Sequence, residues 1–277
     1  MGKQHIALFL FALLLIALVA NGCSNSDAEI SVFKGVEMVR IPAGEFTMGS
    51  DEGPPDARPA HTVHLGTYYI DRHEVTNAEY KRFVDATGHP APFLDPEKYP
   101  WAKPFNWEND SYPPGTADWP VVLVSWDDAQ AYARWRGCRL PTEAEWEKAA
   151  RGIKRTTYPW GETWDPHNLV SRLLPATHPL PADSSLKDVS PYGVVGMAGN
   201  VREWCTDWYD LETYTHPSRH NPVGPDRGSR KVVRGGSWLT VEPEKFTVYY
   251  RSAEFPSSQS PDLGFRCVRT LVTPSKK

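Results

Sequence analysis

From Arg234-Gly235-Gly236-Ser237-Trp238 to Leu263-Gly264-Phe265-Arg266-Cys267 the chain runs without a cysteine between the two blocks. The paired glycines permit positive φ or a close approach of another backbone. Lys231-Val232-Val233-Arg234 before them, and Gly264 to Arg269 after, have the apolar character of strands. Two more blocks of unusual composition lie upstream: Leu140-Pro141-Thr142-Glu143-Ala144-Glu145-Trp146-Glu147, then Gly199-Asn200-Val201-Arg202-Glu203-Trp204.

In this order the four blocks resemble the formylglycine-generating enzyme family, the sulfatase-modifying factors, over about Val36 to Arg269. The resemblance implies an α+β fold, loop-rich and C-type-lectin-like, of the formylglycine-generating enzyme type. In that family a cysteine pair just after the Arg-Gly-Gly-Ser block binds copper and activates oxygen. Here the stretch reads Leu239-Thr240-Val241-Glu242-Pro243-Glu244-Lys245-Phe246-Thr247-Val248-Tyr249-Tyr250. Thr240, Glu242, Glu244 and Thr247 offer hard oxygen, whereas Cu(I) takes soft thiolate, so copper-dependent cysteine oxidation is not expected. The family's oxygen-handling serine maps to Ser237, and a noncanonical site would use Ser237, Glu242 and Tyr250. The resemblance also implies calcium at two places. One maps to Asn168 and Leu169; the other maps to Gly199, Val201 and Glu203, with Gly196 where an acid or amide is needed. The alternative for the second is that Glu203 and Asn200 satisfy backbone groups in a tight turn. Family members join the cysteine of the last block to one in the helix before Leu140, where this chain has Ala133. A Cys138 to Cys267 bond and three free buried thiols therefore both stand as readings.

Composition agrees with a loop-rich domain: 26 prolines and 20 glycines accompany 11 tryptophans, large anchors for irregular segments. The formal net charge of −4 comes without a basic run, which argues against a nucleic-acid partner. Residues 1–22 read as a signal peptide, with Lys3 before an apolar run from Ile6 to Ala20 and small residues before Cys23. Cys23 is the candidate lipidation site, on a tether over 23–35. The main domain is expected over 36–271 and a tail over 272–277. Export to a bacterial cell envelope is expected from this leader, with a lipid on Cys23 in the membrane; simple cleavage or an uncleaved anchor are the alternatives.

Three helices announce themselves by a hydroxyl three residues before an acid: Thr76 with Glu79, Ser125 with Asp128, and Thr142 with Glu145. They are expected over 77–86, 127–136 and 143–151, with Gly88 and Gly137 closing the first two. Val36 to Pro42 and Gly44 to Gly49 suggest a hairpin, His61 to Ile70 a strand, and Pro90 to Pro120 an aromatic surface insertion. The alternating glutamates of Glu143 to Glu147 read as capping and dipole compensation rather than acid and base. No histidine set has ligand spacing: His61 and His64 sit on strand-like sequence, and Pro217 and Pro222 break a helix at His216 and His220.

The functional expectation is an exported, lipid-anchored, sulfatase-modifying-factor-like domain that is not a cysteine-dependent formylglycine synthase. It would bind a ligand or an exported protein, with the aromatic loops and the 239–261 surface forming a cleft. The rival is a noncanonical oxidase or maturation enzyme acting on an exported peptide or small molecule. Calcium is the one cofactor suggested.

Overall fold

A computed structural model describes residues 28–174, 176–184 and 187–270. The leader, Cys23 and the 272–277 tail lie outside the described residues. The three capped helices form where their signals stand: α1 (Asn77–Thr87), α2 (Trp126–Arg136) and α3 (Glu143–Arg151). Each begins with a reciprocal capping box, and Gly88 and Gly137 close α1 and α2 in the left-handed conformation.

Strands β1 (Ile30–Phe33), β2 (Val36–Ile41), β3 (Gly44–Met48), β4 (His61–Leu65) and β5 (Tyr68–Asp71) precede the helices. After them come β6 (Arg202–Trp208), β7 (Lys231–Arg234), β8 (Arg251–Glu254), β9 (Leu263–Gly264) and β10 (Val268–Arg269). One sheet has the order β1-β2-β5-β10, a second pairs β3 with β4, and a third has the order β8-β7-β6-β9. The expected hairpin does not close. Strand β2 pairs with β1 and β5 while β3 pairs with β4, because Pro42 and Ala43 redirect the chain between sheets. For the same reason His61 to Ile70 is two strands, broken at Gly66 and Thr67. The first sheet also begins before residue 36, since β1 pairs along β2.

Helix α3 lies between the sheets, and its Trp146, Ala149 and Ala150 enter a core with Val39, Ile70, Cys205 and Val232. A second core gathers α1 and α2 around Tyr80, Phe83 and Tyr132, against Trp204 and Phe265. The 90–120 segment is not a surface insertion throughout. Trp107 is 4% exposed in this second core, and Phe105 packs against Trp238 with ring centres 6.0 Å apart. Its aromatic residues alternate between anchoring and exposure, leaving Phe93, Tyr99 and Trp101 at the surface.

Candidate functional site

The four sequence blocks meet through buried ions. Arg234, fully buried at the end of β7, donates to Glu143 Oε1 at 2.7 Å and to Glu147 Oε2 at 2.8 Å. Arg251 adds two bonds to Glu143, whose acidity shows the balance. Burial pushes its carboxyl up, but the Arg251 and Arg234 guanidinium groups outweigh that and hold it below its usual value. Arg266 of the last block donates to both oxygens of Glu203, and Trp146 Nε1 donates to Glu203 Oε2 at 2.9 Å. Only Glu145 caps α3, so Glu143 and Glu147 belong to the ion network rather than to the helix start.

This frame fixes the turn after β7. Gly235 sits at φ +77, and a Cβ on Gly236 would come within 2.4 Å of the Phe246 ring. Gly236 N–H donates to Ala198 O and Trp238 N–H to Asn200 O, which ties the turn to the Gly199-Asn200-Val201 segment. Ser237 is fully buried below it. Its hydroxyl donates to Asp262 Oδ2 at 2.8 Å and accepts from Leu239 N–H at 3.2 Å. Arg202 holds both Asp262 oxygens at 3.0 Å and reaches Glu254 at 2.8 Å. Burial raises the Asp262 carboxyl, yet Arg202 and the serine hydroxyls more than offset that, so it stays below the ordinary range.

Above this floor lies a cavity of about 310 Å³, walled by Thr240, Glu242, Lys245 and Tyr250. Glu242 and Tyr250 thus come together as candidates, while Ser237 lies beneath the cavity lining. Lys245 Nζ donates to Glu242 Oε1 at 2.9 Å, which lowers the pKa of Glu242 and raises that of Lys245. Leu239 joins Leu94, Phe105 and Trp238 in an apolar cluster beside the cavity. Exposed Trp101, Tyr99 and Val241 supply further apolar surface on the 90–105 and 239–242 segments. Larger cavities of about 540 and 480 Å³ lie under the loop after β6, lined by His220 and Asp210 and by Tyr68 and Arg139. They contain none of the candidate catalytic side chains.

The cavity donors do not fit copper. Oxygen and ammonium groups line it, and Cys138, Cys205 and Cys267 are free thiols elsewhere. Burial raises all three thiols, which disfavours the thiolate form that binds soft metals.

Calcium is a different question. Asn168 and Leu169 are consecutive at the end of a short turn over 166–168, and Leu169 packs against the second candidate place, where a Cβ on Gly199 would be 3.0 Å from Leu169 Cβ. Gly199 N–H donates to Asp188, Val201 is buried in the apolar cluster, and the Glu203 carboxylate is already occupied by Arg266 and Trp146. Of the alternative reading, the Asn200 part describes the geometry, since its side chain accepts from Leu180 N–H and donates to Leu180 O, whereas Glu203 serves the Arg266 and Trp146 side chains and not backbone groups. Two other carboxylates retain an oxygen without a protein donor: Glu74 Oε2 and Asp188 Oδ1. Burial raises Glu74 to about 8 and Asp188 to about 7. Glu74 fills the space beside Gly196, its Oε2 lying 3.0 Å from where a Cβ would stand. These hard oxygens fit calcium, and the residues Glu74, Asp188, Arg202 and Asp262 were not singled out by sequence. The available signals were adjacency to a cap, for Glu74 before Thr76, and to a block, for Asp262 before Leu263.

Residues 26–271 match the family described as sulfatase-modifying factor enzyme 1-like domain. The formylglycine-generating enzyme of Streptomyces coelicolor is 37% identical over 83% of this chain and 88% of that protein. Among solved structures, PvdO from Pseudomonas aeruginosa superposes with a TM-score of 0.70 at 26% identity, over 85% of this chain and 95% of its own. Treponema denticola variable protein 1, at 23% identity, shares the fold with a TM-score of 0.68 over 87% of this chain and 98% of its own. The α+β, C-type-lectin-like architecture is what these proteins share with it, and the chain belongs to the sulfatase-modifying factor family.

Proposed function

We propose that this chain is an exported, lipid-anchored family member that binds a ligand or protein partner at the 239–262 cavity and does not perform cysteine-dependent formylglycine synthesis. One observation carries the reading. The charged groups of the cavity are paired, Arg202 with Asp262 and Glu254 and Lys245 with Glu242, and no thiol lines it. A general base or a copper ligand would need a group not so engaged. What remains is a polar floor beside exposed aromatic residues, the composition of a recognition surface. Calcium at the 196–203 turn belongs to the same proposal, held by Glu74 and Asp188 and supplying fixed positive charge to two buried carboxylates. Lipid attachment at Cys23 is tested by Cys23→Ala, which should release the protein from the membrane fraction.

The second reading, a noncanonical oxidase, is favoured by the size of the cavity and by relatives named formylglycine-generating enzymes. Detergent-solubilised full chain distinguishes the two. With copper and a cysteine-containing peptide, no oxygen uptake is expected, while Trp101→Ala should weaken capture of the partner from an envelope extract. Oxygen uptake abolished by Tyr250→Phe would replace the binding reading with the enzymatic one.

A further inference from the structure

We propose that His64 and His220 form a surface site for a borderline transition-metal ion of the Zn²⁺ class. The pair is invisible to sequence spacing, because its members lie on β4 and on the long loop between β6 and β7. The loop runs beside the edge of β4: His64 N–H donates to Arg219 O at 2.7 Å, and Asn221 N–H donates to His64 O at 2.9 Å. Gly66 N–H to Asn221 Oδ1 at 2.8 Å holds the register. His64 and His220 are therefore direct partners in a parallel bridge, and their rings lie 5.5 Å apart, centre to centre, tilted by 50°.

That separation suits chelation. With imidazole nitrogens about 2.0–2.1 Å from an ion, two rings at a tetrahedral angle have centres about 5 Å apart, close to the separation of this pair. The ring nitrogens are also available. His61, His73, His89, His167 and His178 each have a ring nitrogen engaged by a carbonyl or a carboxylate. Among the described residues, neither ring of the pair makes such a bond. Among those residues there is also no group of three or more histidine, cysteine or acidic side chains poised for a metal. Two imidazoles with water completing the shell are the arrangement proposed, and imidazole favours Zn²⁺, Ni²⁺ or Cu²⁺ over hard cations. The bound ion would cross-link the loop to β4.

The test is calorimetric titration of detergent-solubilised full chain carrying Cys138→Ser with Zn²⁺, together with amide exchange. About one equivalent should bind. His64→Asn and His220→Asn should each weaken it by more than the roughly tenfold that loss of an outer-shell partner costs, and His167→Asn should not. Zn²⁺ should slow exchange at residues 219–224 in the parent and not in either variant. His220 is exposed, so its substitution tests the site without burdening the core. Affinity unchanged in both variants, or exchange at 219–224 indifferent to Zn²⁺, overturns the proposal.

Discussion

Ser237→Ala separates a structural hydroxyl from a catalytic one. The Ser237 oxygen is fully buried, donates to the ionised Asp262 at 2.8 Å and accepts from Leu239 N–H at 3.2 Å. A hydrogen bond to a charged group contributes about 1.5–3 kcal/mol net, and its loss here also strands the Leu239 donor. Asp262 keeps Arg202 and Ser260, which limits the damage, so a loss of about 2 kcal/mol is expected. Asp262→Asn should cost more, about 3 kcal/mol, because Arg202 loses a two-point partner and retains only Glu254. Urea unfolding of the two single variants and the double variant gives the coupling directly. Neighbours in one network should couple by about 1–2 kcal/mol, with partner binding at the cavity intact in Ser237→Ala. If Ser237→Ala leaves the unfolding midpoint unchanged and abolishes binding or oxygen uptake, the hydroxyl serves the ligand and the structural account is wrong.

Glu74, Asp188 and Asp207 are buried acids raised to about 8, 7 and 8. Because the unfolded chain gives up these protons first, the metal-free protein should lose stability as pH rises from about 5 to 8. Melting temperatures across that range should fall in the parent and fall less steeply in Glu74→Gln, and calcium should partly restore the parent at pH 8; a flat parent profile contradicts this. Gly236→Ala brings a methyl within 2.4 Å of Phe246 and should cost at least about 1–3 kcal/mol in denaturant, with partial recovery when Phe246→Leu makes room. Lys231 lies with its ammonium 4.1 Å from the Trp126 ring centre and 3.7 Å from that of Trp208. Lys231→Met keeps the stem but loses the cation, and a drop of about 1–2 kcal/mol in unfolding free energy is expected.

Local signals were legible because they act locally. A capping box spans four residues and the cap glycines need only their own φ, so all three helices stood in the sequence to within a residue. Sheet partners were not legible, because pairing is decided by chain reversals that no alternating pattern encodes. Val36–Ile41 and Gly44–Met48 read as each other's partners, yet a short connection delivers them to different sheets. The cavity was half legible. Glu242 and Tyr250 follow a recognisable block, whereas Arg202 and Asp262 are far apart in sequence and meet only because β6 and β9 run side by side. Burial of Ser237 was hidden for the same reason, since its cover comes from Asp262 and Thr240 after the turn is made.

The distribution of ion pairs separates what the fold asks of the four blocks from what it asks of the cavity wall. Arg234 bridges Glu143 and Glu147, and Arg266 bridges back to Glu203, all with side chains 0–3% exposed. Removing one member leaves its partner charged and buried without compensation, a loss of about 3–5 kcal/mol, comparable with the whole stability of a small domain. Every block residue in this network is therefore held by folding, whatever chemistry the protein performs. Glu242 and Lys245 are under no such constraint: their side chains are 43% and 37% exposed, and a surface pair contributes about 0–1 kcal/mol. Substitution of the cavity wall is thus nearly neutral for the fold, and substitution of the frame is not. A match to the four blocks is for that reason a statement about architecture, and the reaction or the ligand has to be read from Glu242, Lys245 and Tyr250, where the chain is free to change.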